Sequence, residues 1–174
     1  MREIIFRLLQ LALDDFYHEE WINIQLGTHE VSYGYHLAKY FEKRLREYDK
    51  PLYDKLFERY SVDIEFNRME GGATKVCLID GERHNIRPDI LLHSKGRAAL
   101  ENLLVVELKK EGNHEGEQKD RSRIKRMVSP ADDTAEDRSI CGTLLGVYLI
   151  IGQDGYSGSK YWYDGNDVVE EQFN

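Results

Sequence analysis

The sequence is poor in cysteine and proline, with two of the first and three of the second in 174 residues. Cys77 and Cys141 are too few for a disulfide scaffold, and their spacing collects no metal. A reducing compartment, the cytoplasm, is the expectation that follows. Long apolar runs are also missing. The longest, around 144–151, falls far short of the roughly 20 residues that span a bilayer as a helix. The apolar N-terminal run MREIIFRLLQLALDDF is interrupted by Asp14 and Asp15, and no small-residue cleavage site follows it. Neither a membrane span nor a signal peptide is expected. Nor is there an excess of basic charge: 24 Lys and Arg face 32 Asp and Glu, a formal net charge of -8. That balance excludes a protein that coats nucleic acid through bulk charge, so any phosphate-binding surface has to be local. Absent motifs remove further classes. Without GxxxxGK[ST] there is no nucleotide-hydrolysing motor, and without GxSxG there is no serine-hydrolase elbow. The six histidines show no HxxxH or HxH pair for zinc. His29, beside Glu30, is the one of interest.

What is present suffices for a core: 41% of residues are hydrophobic and 32% charged. The length fits one domain over 1–174. It divides into an N-terminal helical extension (1–27), a core (28–152) and a C-terminal extension (153–174). Ile5, Leu9, Ala12, Leu13 and Phe16 recur at helical spacing, widened by Ile4, Leu8 and Leu11, and predict one helix over 2–24. It packs on its own domain or, alternatively, forms a dimer contact. The chain breaks at Gly27, and Thr28 is the expected N-cap of a helix reaching about Tyr48, with Leu37, Ala38, Phe41 and Leu45 as its core stripe. Tyr33, Tyr35, Tyr40 and Tyr48 at helical spacing read as core packing before base stacking. Counting back along that stripe places Gly34 and Glu30 on the same face, where an acid is costly without a partner.

A short helix is expected over 52–59. The period then drops to two: Val62, Ile64 and Phe66 alternate with Asp63, Glu65 and Asn67, the mark of a strand. Gly71 and Gly72 turn the chain into a strand over 75–79, and Asp80-Gly81 signals a hairpin into a strand over 86–93. LLVVELKK, from Leu103, reads as a central strand. A polar helix over 117–128 stops near Pro130, a loop covers 131–139, TLLGVYLII is another buried strand, and KYWYD suggests an aromatic edge hairpin. A central strand, a helix and a second buried strand make a crossover. The fold class is therefore an α/β sandwich, a small mixed β-sheet flanked by helices, with an extra N-terminal helix.

Chemistry concentrates on the central strand. Glu107 and Lys109 are two apart and share a face of a strand that should be mostly buried, where each charge alone is expensive. Asp89, in RPDILLH, and Glu30, from the helix stripe, can enter the same space. Three carboxylates and one lysine call for a hard divalent cation such as Mg²⁺. An acid-x-Lys triplet alone is weak, arising by chance at about one position in a hundred. Its placement on adjoining strands, with Glu30 picked out by helical phase, is what gives it weight.

Pro88-Asp89, then Glu107-Leu108-Lys109 on a buried strand, then a polar helix and an apolar strand, resemble the PD-(D/E)xK nuclease superfamily. The resemblance covers roughly residues 28–152. THEVSYGYHLAKYFEKRL, VDIEFNR, RPDILLH and NLLVVELKK look like those of small standalone bacterial members of unassigned role. It implies a restriction-endonuclease-like fold and hydrolysis of phosphodiester bonds with Mg²⁺, or Mn²⁺ as substitute. Asp89 and Glu107 would then ligate the metal, with the Leu108 carbonyl as third ligand. Lys109 would orient or deprotonate the attacking water, or neutralise charge developing on phosphorus. Glu30 would hold a water of the metal's shell or a second cation, and Glu65 could join this network. Arg87, Lys110, Lys119, Arg121, Arg123 and Lys125 are the candidate contacts to nucleic-acid phosphates, with a solvated helix face as the alternative for the last four. DNA is the first expected substrate, with RNA open. A homodimer or a protein partner would supply the binding surface that the acidic charge withholds. The rival reading is a catalytically inactive nuclease-fold module for nucleic-acid or protein binding.

Overall fold

Helices form where the apolar period is 3.6, and strands where it falls to two. The computed structural model describes residues 1–48, 51, 54, 56–67, 74–79, 82–131 and 140–174. Helix α1 (Arg2–Glu19) buries Ile5, Leu9, Ala12, Leu13 and Phe16. Helix α3 (Glu30–Glu47) buries Leu37, Ala38, Phe41 and Leu45, together with Tyr33 and Gly34. The single helix expected over 2–24 is in fact two. Glu20 leaves helical geometry (φ -107°, ψ 19°), and the five-residue α2 (Trp21–Gln25) follows it. Contacts at Glu20 accompany the break: its carboxylate accepts from Asn23 and from Tyr40 of α3 and lies 2.7 Å from His36. Thr28 does not cap α3. The residue before Glu30 is His29, which makes no side-chain cap bond, while Thr28 Oγ1 turns back to the Asn23 carbonyl.

Six strands make one mixed sheet in the order β1-β4-β5-β6-β7-β8. They are β1 (Ser61–Ile64), β4 (Ile90–His93), β5 (Asn102–Lys110), β6 (Leu145–Ile151), β7 (Tyr156–Tyr163) and β8 (Val168–Phe173). Only β5 and β6 run parallel, and helix α4 (Glu117–Val128) makes the crossover between them. The remaining strands, β2 (Val76–Ile79) and β3 (Glu82–Asn85), pair with each other alone as a separate sheet. The strand expected over 86–93 is therefore divided, with β3 ending at Asn85 and β4 starting at Ile90. Pro88 lies in the gap and has no N–H to give a ladder. The C-terminal residues form more than an edge hairpin: β7 and β8 extend the main sheet, and Glu171 of β8 pairs with Lys160 at 3.1 Å. Gly71-Gly72, Asp80-Gly81, residues 132–139 of the expected loop and residues 52, 53 and 55 of the expected short helix lie outside the described residues.

The period of two along β4 to β6 gives the sheet two apolar faces. Ile90, Leu92, Leu104, Val106, Leu108, Val147 and Leu149 pack with Phe16, Leu37 and Phe41 of α1 and α3. Leu91, Val105, Tyr148 and Tyr161 pack with Ile124, Met127 and Val128 of α4 and with Cys77 of β2. The result is a mixed α/β sandwich, with four helices among the described residues. None of them is long and apolar enough to cross a membrane.

Gly146 sets how closely α4 approaches β6. A Cβ built there would lie 2.4 Å from Ile124 Cγ2 and 3.0 Å from Val128 Cγ1. Gly146→Ala should therefore force the helix outward and destabilise the fold by roughly 1–3 kcal/mol. Urea unfolding checks this, and an unchanged midpoint would contradict so close an approach.

Candidate active site

Strand β5 outruns strand β4. Their register ends at Ile90↔Val106, whereas on its other edge β5 stays paired with β6 as far as Lys110↔Ile151. Alternate residues of a strand turn their backbone groups to the same edge, so beyond Val106 the N–H groups of Leu108 and Lys110 face an edge with no strand on it. Carboxylates fill that edge. Leu108 N–H donates to Asp89 Oδ2 at 2.7 Å, and Lys110 N–H donates to Glu30 Oε1 at 3.1 Å. Asn113 adds a 2.7 Å bond to the same Glu30 oxygen. Asp89 comes from the residue before β4 and Glu30 from the first turn of α3. One turn further on, Gly34 faces the Asp89 carbonyl, and a Cβ there would stand 4.0 Å from it, an ordinary contact. The Leu108 carbonyl shares this edge by the same alternation.

Glu107 and Lys109 project from the other face, toward α4. Glu107 is 4% exposed. Its Oε1 lies 3.1 Å from Arg123 Nη2 but makes no hydrogen bond among the described residues. Lys109 Nζ is 3.1 Å from Asp120 Oδ2, and Arg123 Nη2 donates to Asp120 Oδ1 at 2.6 Å. Asp120 is the residue that the sequence reading missed. It is buried with Ile124, Met127 and Val128, so counting back along α4, as was done for Glu30 on α3, would have found it. Asn113 carries no comparable signal.

Burial dominates the electrostatics. It pushes the Glu107 carboxyl up to about 8; Arg123 and Lys109 oppose the rise, while Asp89 and Asp120 add to it. Burial also raises Asp89, against the Leu108 N–H bond and the charge of Lys109. For Lys109 burial acts downward, but the bond to Asp120 and the charges of Asp120, Glu30 and Asp89 outweigh it and hold the ammonium above its ordinary value. Lys109 and Arg123 thus bring positive charge to these acids from the chain itself.

The other predicted residues are placed around this centre. Glu65, just past β1, has a left-handed φ of +46°, and its N–H reaches the Asp89 carbonyl at 3.3 Å, while its carboxylate pairs with the exposed Arg87 at 3.3 Å. Lys110 Nζ is turned to the carbonyls of Gly27 and Thr28. Arg121 lies over the Tyr148 ring at 4.2 Å and bonds Glu117, Ser159 and Tyr161. Lys125 pairs with Glu170 at 3.0 Å. Lys119 is exposed, with no ion pair among the described residues. Arg123 is engaged with the acids rather than offered outward. His29 is exposed at the start of α3. Tyr33 is buried as expected, whereas Tyr35 stands exposed.

Among the described residues no group of three or more His, Cys, Asp or Glu side chains is gathered so as to hold a metal ion. The donors still suit a hard divalent cation in kind, since all are oxygens and Glu107 Oε1 is buried without a hydrogen bond. A second polar cluster lies at the opposite end of β4, and it too holds a buried atom without a hydrogen bond among the described residues, His93 Nδ1. There Asp63 takes His93 Nε2 at 2.8 Å and Lys95 at 2.7 Å, Glu101 takes Ser94 and the Gly96 N–H, and buried Lys75 reaches Asn102 at 3.3 Å. No protein-family model matches the chain, and no curated protein matches it.

The pH dependence of stability follows from Glu107. With its carboxyl raised from 4.5 to about 8, the metal-free folded protein keeps a proton that the unfolded chain releases, so stability falls as pH climbs through that window. Glu107→Gln should flatten the slope and be more stable than wild type by roughly 2–4 kcal/mol near the upper end. Denaturation curves in chelator across the window measure this. A flat wild-type profile would remove the buried proton from the account.

Proposed function

We propose that this chain is a metal-dependent nuclease, hydrolysing phosphodiester bonds in nucleic acid, DNA in the first place, on a restriction-endonuclease-like fold. One observation carries the reading: a buried carboxylate, Glu107, holds an oxygen with an ion pair to Arg123 but no hydrogen bond, two residues from Lys109 on a strand that outruns β4 and whose edge is completed by Asp89 and Glu30. The order along the chain supports it. Asp89 precedes β4, Glu107-Leu108-Lys109 lie on the adjoining β5, and α4 and β6 follow. Asp89, Glu107 and the Leu108 carbonyl are the oxygens that would hold Mg²⁺ or Mn²⁺, with Glu30 beyond them. The cation would supply Lewis acidity toward a phosphoryl oxygen.

The chain's own groups divide the remaining work. Asp120 keeps Lys109 protonated, which favours its role as a fixed positive charge against the phosphorane over that of a base. Arg87 and Lys119, both exposed, are the groups best placed to meet backbone phosphates. Arg121 and Lys125 are held by Glu170 and the aromatic residues of β6 and β7 and serve first to dock α4.

The pairing of Arg123 with Glu107 and of Lys109 with Asp120 favours the rival reading, a module that keeps the fold without the chemistry. Cleavage assays on supercoiled, linear and single-stranded DNA and on RNA, run with calorimetric titration of Mg²⁺ and Mn²⁺, separate the two. The nuclease reading expects metal-dependent cutting that falls at least ~100-fold in Asp89→Ala and in Lys109→Ala, with circular dichroism unchanged. Full activity in either variant overturns the site. Absence of both cutting and metal binding selects the module.

A further inference from the structure

Cys77 and Cys141 stand 64 positions apart in the sequence, and the fold brings their Sγ atoms to 3.7 Å. Cys77 is on β2 and fully buried; Cys141, ahead of β6, is half-buried. Both lie on backbone tied to the C-terminal end of α4. On one side Arg126 Nε donates to the Leu78 carbonyl at 2.9 Å, and Cys77 is in register with His84. On the other, the Gly142 N–H donates to the Ser129 carbonyl at 2.7 Å and the Thr143 N–H to the Met127 carbonyl at 3.0 Å. Gly142, at φ +77°, makes a turn that a side chain would strain. The approach of the two sulfurs therefore rests on anchored backbone.

We propose that Cys77 and Cys141 form a thiol-oxidation site that closes to an intramolecular disulfide. The oxidant is a small-molecule disulfide of the glutathione class. Cys141, the more accessible, attacks one of its sulfurs as thiolate; a mixed disulfide forms and one glutathione thiolate leaves. Cys77 then gives up its proton and attacks the Cys141 sulfur, displacing the second glutathione thiolate. Two protein thiols are oxidised and one glutathione disulfide is reduced, and the two protons pass to the departing thiolates. The new bond ties the β2–β3 hairpin to the segment ahead of β6. It also encloses Asp89, Glu107, Lys109, Asp120 and Arg123 in one covalent loop, leaving Glu30 outside. The site is independent of the nuclease reading.

The test uses the full chain, reduced and then exposed to oxidised glutathione. Thiols are counted by alkylation, linked peptides are mapped by mass spectrometry, and the melting temperature is read with and without reductant. The expected result is loss of both thiols, a linked peptide pair carrying Cys77 and Cys141, and a mass lower by two hydrogens. Melting should rise by about 5–10 °C, reversed by reductant and absent in Cys141→Ser. Two thiols still open to alkylation, a reaction that stops with glutathione on Cys141, or a disulfide formed only between chains would each overturn the proposal.

Discussion

Backbone hydrogen bonding at the far end of β5 organises the candidate site. A strand that runs past its neighbour leaves amide groups that need acceptors, and no buried amide is cheaply left without one. Asp89 and Glu30 supply those acceptors in place of a strand. This requirement ties the first turn of α3 and the residue before β4 to a single edge. Side chains that complete a sheet edge are set by backbone geometry, and their positions follow the sheet's own rigidity.

The opposite face of the same strand presents an opposite problem. Glu107 and Lys109 are fastened to a buried strand, and the helix that covers them must bring charge with it. Asp120 and Arg123, one turn apart on α4, do so, and Gly146 lets that helix sit low enough on β6 for the contacts to form. The balance is incomplete. Burial raises two acids, Asp89 and Glu107, and Glu107 Oε1 has the Arg123 guanidinium at 3.1 Å but no hydrogen bond.

Much of this was legible in the chain, because periodicity reports which face a residue occupies. The stripe of α3 located Glu30, the alternation along β5 put Glu107 and Lys109 together, and the bounds of α4 were read directly. The same method would have reached Asp120 had a charged helix been searched for its buried acid. Other features depend on contacts that periodicity does not encode. Pro88 splits one expected strand and sets the β2–β3 hairpin apart, Glu20 divides the first helix through partners on α3, and Arg123 turns inward although its neighbours suggest a basic outer row. The meeting of Cys77 and Cys141 arises only from the crossover of α4 beneath the hairpin.

The two ends of the main sheet carry a further consequence, for association between chains. An exposed strand edge offers a template for pairing with another copy, the usual beginning of edge-to-edge aggregation. Here β1 is four residues long and is ended by the left-handed turn at Glu65, while β8 carries Glu170 and Glu171 on its outer run, each tied down by cations of its own chain. One edge is too short and too abruptly turned to be extended, and the other would set carboxylates against carboxylates. The sheet is thereby closed to growth at both sides without being closed into a barrel.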